Sequence, residues 1–382
     1  MSGVAVRNAQ RLGLHRDGLV LGLPPYEVEL RRRLWWAVIF MDVRAAELSG
    51  AGVASVAEHR WDTKRPSNIN DLDFDPAMKT MPVDRQGATD MTFVLMRCAV
   101  GEFLKGQKQI IPFGGSWETL ASGNAPGVGK NLHIDQLEGQ LEGDFLRYCD
   151  PLNPIHTLAA ITARGIITKM RIVASNPRQF IERGEEVPQA QRDFLFSNSL
   201  KILEYNNLGR KLPSLLRFHW HNKQYIQWHA IVFLLSELRY RLEGPEVEKA
   251  WEELNLIFEG HPEIIENRSN TLHRAIIHLY KRAWRARENR SSSRIASPQN
   301  RPRVVQMIFA SDPTIAKAKP AIASQTKGSQ PSHEFSPTLP GASLDVDESF
   351  TDLTSLSSES SPFDHLRIDW TDWDAIMREF GA

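Results

Sequence analysis

Cysteine is almost missing from this chain: Cys98 and Cys149 are the two present in 382 residues. Two cysteines exclude a disulfide scaffold and a cysteine-rich zinc site. They fit a reducing compartment, where a buried thiol behaves as a small apolar group. Long hydrophobic runs are missing too. The stretch Leu34–Met41 is among the longest, and it falls well short of the ~20 residues that span a bilayer. The N-terminus has no continuous apolar run of the kind a signal peptide needs. A soluble, intracellular protein is the expectation. An excess of charge of one sign is also lacking, with 46 Lys and Arg against 46 Asp and Glu. That balance argues against a nucleic-acid surface over the whole chain.

Catalytic signatures are absent as well. No GxSxG, HExxH or Rossmann glycine set occurs, so no nucleophile or general base is nominated and no enzyme is expected. The segment Gly123–Lys130, GNAPGVGK, superficially suggests a phosphate loop. It has five residues between Gly123 and Gly129, and Asn131 follows the lysine. The phosphate-loop pattern needs four, then Ser or Thr, so a flexible loop is expected there. His219, His221 and His229 lie close together in sequence. His219 and His221 are two apart and cannot share a helical face. His221 and His229, eight apart, are too distant along an axis for one metal. They are read as core or pocket-lining aromatics. No metal ligand is assigned.

What is present is helical punctuation. Residues 1–12 read as the last turns of a helix. Pro25 suits a first helical position, and Glu27 and Glu29 favour the positive end of the dipole. The repeat Leu30, Leu34, Val38, Met41 predicts one apolar face, widened by Trp35 and Phe40, with Gly50 as a stop. Arg31, Arg32 and Arg33 point in three directions on a helix, so they are read as solvated or ion-paired structural arginines. Residues 51–87 carry loop signals, including Pro66, Pro76 and Pro82. Further helices are expected near Thr89–Leu104, Leu132–Tyr148, Leu152–Ala174 and Pro188–Asn206. One long, nearly all-round apolar helix is expected over His219–Gly244, then one from Pro245 and one from Pro262 to about Asn289. Strand alternation is lacking. The expected class is all-α, an irregular multi-helix bundle of eight to ten helices with a disordered C-terminal tail.

Beyond Asn289 the composition shifts to Ser, Pro, Thr, Lys and Gly. Residues 291–362 cannot bury enough apolar surface to offset their ordering entropy, and are expected to be a disordered linker with one short element at Val304–Phe309. Residues 341–380 hold ten acids and two arginines. Aromatics are interleaved with the acids, a composition that suits an activation segment. Trp373, Ile376, Met377 and Phe380 would share a helical face, and Trp370 stands beside them. Docking of this tail back onto the bundle is the competing reading. Lys281, Arg282, Arg285, Arg287 and Arg290 form a basic run suited to nuclear import or to nucleic acid; a solvated helix end is the plainer account.

The order LGLHRD, loop, ELRRRLWW over residues 12–36 resembles the middle regulatory domain of fungal binuclear zinc-cluster transcription factors. The segments RPSNINDLDFDP (65–76), TDMTFVLMRC (89–98) and WHAIVFLLSELRYRLEGPEVEKAWEEL (228–254) resemble later parts of it. The resemblance covers much of residues 1–290. It implies a helical regulatory domain in a nuclear, transcription-linked protein, with an undefined small-molecule effector and with transcription machinery or coactivators as partners. Such factors normally carry six cysteines binding two zinc ions at the N-terminus. No CxxC occurs here, so zinc binding and direct DNA reading transfer to no residue. The chain is expected to be a piece of a longer product or a stand-alone regulator reaching DNA through partners.

The expected organisation is a regulatory domain over 1–290, a linker over 291–362 and an acidic amphipathic tail over 363–382. Trp35, Trp36, Trp220 and Trp228 are the candidate pocket residues for an effector. The alternative is an α-helical ligand-binding or scaffold protein with no transcriptional role.

Overall fold

The computed structural model describes residues 2–49, 61–106, 127–175, 186–267, 269–290 and 301–310. Among them there are twelve α-helices and no strand. The fold is all-α. No helix of the described residues is long and apolar enough to cross a membrane.

The first layer is α1 (Ser2–Arg11) against α2 (Pro25–Ser49). Gly13 ends α1 in the left-handed region (φ 72°), where a glycine has no Cβ to clash, and the Leu14 amide reaches back to the Ala9 carbonyl. Val6, Ala9, Leu14, Trp35, Trp36, Val38, Ile39 and Cys98 fill this core. The apolar face of α2 is not the leucine stripe of the sequence reading. Leu30, Leu34 and Met41 are 45%, 48% and 54% exposed, and only Val38 of that set is buried. The buried repeat is Val28, Arg32, Trp35, Ile39 and Asp42. It lies about 125° further round the helix. The two tryptophans and the Arg32 ion pair outweigh two leucines and a methionine in deciding which side turns inward.

The second core packs α3 (Thr92–Gly106), α4 (Gly127–Asp144) and α5 (Pro154–Ala174). Residues Gly127–Lys130, expected to be loop, form the first turn of α4; residues 123–126 lie outside the described residues. Asn153 caps α5 by accepting from the Ile155 amide, with Pro154 at the first position.

The third and largest core gathers α6 (Gln189–Lys211), α8 (Trp228–Glu237), α9 (Pro245–Gly260), α10 (Glu263–Glu266), α11 (Thr271–Arg290) and α12 (Arg303–Ala310). Helix α6 is its hub, lying against α5, α8 and α9. Every residue from Ala230 to Glu237 is buried, so α8 is central, as its apolar composition suggests. Trp251 meets Tyr280 and Trp284 edge-on at 5.3 and 5.0 Å, a favoured aromatic geometry.

Three sequence expectations change here. The segment His219–Gly244 is not one helix. It breaks into α7 (His219–Asn222), a turn, and α8. The Gln224 carbonyl accepts from Arg44 and the Tyr225 carbonyl from Asn206 at 2.9 Å, so distant side chains take acceptors that a continuous helix would use. The segment from Pro262 also divides. Asn267 ends α10, and Asn270 opens α11 by accepting from the His273 amide. Finally, α12 belongs with the body rather than with a linker: Val304, Val305, Ile308 and Phe309 are buried in the third core. Residues 291–300, 311–362 and the tail 363–382 lie outside the described residues.

Candidate functional site

The four tryptophans proposed as a pocket are not brought together. Trp35 and Trp36 are buried in the first core, where both meet Trp61 edge-on at 6.1 and 5.4 Å. Trp228 packs on His273 at 5.7 Å in the third core. Trp220 is 66% exposed and contacts His221.

The structure instead gathers polar groups where α2, α3, α5 and α6 meet the turn between α7 and α8. The Arg44 guanidinium of α2 lies 4.4 Å over the Tyr225 ring. Arg97 of α3 lies 4.2 Å over Phe40, and its Nη2 donates to the Tyr225 hydroxyl at 3.2 Å. Phe93 meets the His221 ring edge-on at 5.4 Å. Asn222 donates to the Gly209 carbonyl at 3.1 Å, pinning the turn to α6. Lys169 of α5 and His229 of α8 lie deeper.

Electrostatics there run one way. Burial, with Arg97 and Arg44 adding to it, pushes His221 down to about 4. Burial, reinforced by Lys169, pushes His229 down to about 4. Burial and then Arg44 bring Lys169 down to about 7. In each case desolvation opposes the charged form, and a neighbouring cation opposes it further. At neutral pH both imidazoles are neutral and can accept as well as donate hydrogen bonds. Lys169 titrates near neutrality. Aromatic faces and hydrogen-bond donors converge there.

A concavity lies along α10 and α11 of the third core. It is a cleft of about 310 Å³ floored by Ile264, Ile265 and Ile277 and rimmed by Arg274, Lys281, Arg282 and Arg285. Three residues of the proposed basic run therefore share this rim. The other two turn elsewhere: Arg287 pairs with Glu248 at 2.7 Å and Arg290 with Glu243 at 3.2 Å. Trp370, Trp373, Ile376, Met377 and Phe380, the proposed partner-binding residues, lie outside the described residues.

The motif that carried the family resemblance has a structural explanation. Asp17, from LGLHRD, takes Arg32 of the RRR run at 2.8 and 2.9 Å. It also accepts the Leu19 and Lys64 amides. Arg33 pairs with Glu29 and Asp71, and Arg31 donates to the Leu12 carbonyl. All three arginines are structural.

Comparison with known proteins fits that motif. Residues 1–82 match the model of the fungal specific transcription factor domain. The similarity to this domain lies in those residues. It is 32% identical over 332 residues to the aurofusarin cluster transcription factor aurR2 of Gibberella zeae, covering 87% of this chain and 49% of that protein. It is 28% identical over 391 residues to the pyriculol/pyriculariol biosynthesis cluster transcription factor 1 of Pyricularia oryzae, covering 99% of this chain and 50% of the relative. The transcriptional regulator AacuB of Aspergillus aculeatus is 30% identical over 253 residues, 66% of this chain and 34% of its own. These names are those of transcription factors, not enzymes. The chain spans about half the length of the first two. No solved structure matches it.

Cys98 is fully buried in the first core, and burial pushes its thiol far up. Among the described residues no three His, Cys, Asp or Glu side chains converge as a metal site.

Proposed function

We propose that the chain is the helical regulatory part of a fungal transcription factor that controls a biosynthetic gene cluster from the nucleus. The alignment with aurR2 carries the reading, because it covers 87% of this chain rather than the first 82 residues alone. The polar region around Tyr225 supports a sensing role. Six helices and the turn at Tyr225 contribute to it, so a small polar effector held there would bias how α2 and α3 sit against α6 and α8. The cluster names of the relatives make a pathway metabolite the class of effector to test. The acidic aromatic segment 363–382 supports recruitment of coactivators, and the basic residues of α11 support nuclear import.

The test is a fusion of residues 1–382 to an unrelated DNA-binding domain in a fungal reporter strain. Activation that is lost on substituting Trp373, Ile376 and Phe380 by Ala is the expected result. A reporter silent in the presence of extracts from producing cultures would overturn the regulatory reading.

A further inference from the structure

We infer that the cleft between α10 and α11 is the docking site of this chain's own acidic aromatic segment, residues 363–382. The inner face of α11 is spent on the core: Ile276, Leu279, Tyr280, Ala283 and Trp284 are all buried. The outer face carries Arg274, Lys281, Arg282 and Arg285 along one side of an apolar floor, and none of the described lining residues is acidic. Such a surface accepts a helix with apolar residues on one face and carboxylates flanking them. Residues 363–382 have that make-up. Phe363, Leu366, Trp370, Trp373, Ile376 and Phe380 alternate with five acids. Spacings of three and four place Trp370, Trp373, Ile376 and Phe380 on one side when helical.

Two further observations select this occupant. Charge is partitioned within the sequence. Residues 341–382 hold ten acids and two arginines, so the other 340 residues hold eight more Lys and Arg than Asp and Glu. The exit point of the chain also lies at the cleft. Phe309, next to the last described residue, sits 5.7 Å from the Arg285 guanidinium and 5.9 Å from the Lys281 ammonium. Fifty-two residues then separate Ala310 from Phe363. A linker of that length has an end-to-end distance of roughly 40 Å as a coil. It returns to its own starting helix at a high effective concentration.

The experiment is hydrogen exchange on the full chain, read by mass spectrometry at peptides covering 363–382 and 271–286. The expected result is exchange across 370–380 at least tenfold slower than in an isolated 363–382 peptide. Arg274→Glu with Arg285→Glu, both exposed positions, should remove that protection by about tenfold and leave α8 unchanged. Adding Asp372→Arg and Asp374→Arg to that variant should restore it. Trp373→Ala with Phe380→Ala does not touch the body and should speed exchange on the outer face of α11. Protection absent from the unmodified chain, or indifferent to the cleft substitutions, would overturn the inference. So would protection that disappears on dilution, which would assign the cleft to a second copy. No transcriptional readout enters, so this contact fails or holds separately from the regulatory role. On that role, docking would withhold the tail aromatics from other proteins.

Discussion

Replacing Asp17 by Ala should be among the most damaging single substitutions in the first core. Asp17 and Arg32 are 1% and 6% exposed. The carboxylate accepts from Arg32 Nε and Nη2 and from the Leu19 and Lys64 amides at 2.8, 2.9, 3.2 and 2.9 Å. It therefore ties the loop after α1 to α2 and to the segment entering at Trp61. Burial alone would raise its pKa, but the Arg32 and amide hydrogen bonds prevail and hold it below the ordinary carboxylate value. Deleting the carboxylate strands a buried guanidinium and two amides. Breaking a buried pair from one side costs about 3–5 kcal/mol. Asp17→Asn keeps one acceptor and shape, and should cost about 2 kcal/mol. Asp17→Ala combined with Arg32→Leu removes the stranded charge and should recover at least ~1 kcal/mol relative to the sum of the two single changes. Urea unfolding followed by tryptophan fluorescence measures all of these, and Trp35, 6.3 Å from the His15 ring, reports locally. A loss below about 1 kcal/mol for Asp17→Ala would refute the claim that this pair organises the motif.

Other substitutions test the remaining cores. Glu237 is fully buried and accepts from Arg192 at 3.0 and 3.2 Å and from Arg241 at 2.9 Å. Glu237→Ala should destabilise by about 3–5 kcal/mol in urea unfolding, and Glu237→Gln by less. Phe309→Ala should cost about 3 kcal/mol by the same assay, since α12 closes the third core; a loss under 0.5 kcal/mol would detach α12 from the body. Stability should also fall with acid. His221 and His229 sit near 4 when folded and near 6.5 when unfolded, so the unfolded chain takes up protons first as pH drops through that window. Each shift corresponds to about 3 kcal/mol, present above pH 6.5 and lost by pH 4. Lys169 has the same sign between 10.5 and about 7. Urea midpoints from pH 8 to 5 should decline, and His229→Phe should flatten the slope.

The helices with strong local punctuation were legible in the sequence. Pro25, Pro154 and Pro245 each open a helix, and each boundary is set by chemistry within a few residues. Gly244, at φ 118°, precedes the last of these in a conformation that only glycine adopts without strain. The boundaries that misled are those set from far away. Arg44 is 180 residues from the Gln224 carbonyl it takes, so nothing local marks the end of α7. The buried face of α2 was hidden for a similar reason. Hydropathy ranks Leu34 above Arg32, but Arg32 has Asp17 waiting inside, and burial with a partner reverses the ranking. Of the polar region near Tyr225 the sequence showed only the histidines, read as core or pocket-lining aromatics; its cations come from three helices more than fifty residues apart, with nothing local to join them. The basic run was visible, but its division between the cleft and the Glu243 and Glu248 pairs was not.

The balance of 46 cations and 46 anions hides the separation that gives the cleft its partner. At physiological salt the Debye length is ~8 Å, so the body's excess charge acts on the tail only through the groups facing it, here Arg274, Lys281, Arg282 and Arg285. Exposed ion pairs of this kind contribute at most about 1 kcal/mol each. Charge alone therefore sets where the segment lands, while the aromatics over Ile264, Ile265 and Ile277 set how long it stays. Raising salt from 0.05 to 0.5 M should weaken tail protection severalfold without abolishing it. Replacing Trp373 and Phe380 by Ala should abolish it at either salt concentration. Complete loss at high salt with the aromatics intact would mean that the isoleucine floor is not engaged, and that the contact is a diffuse attraction rather than a seated helix.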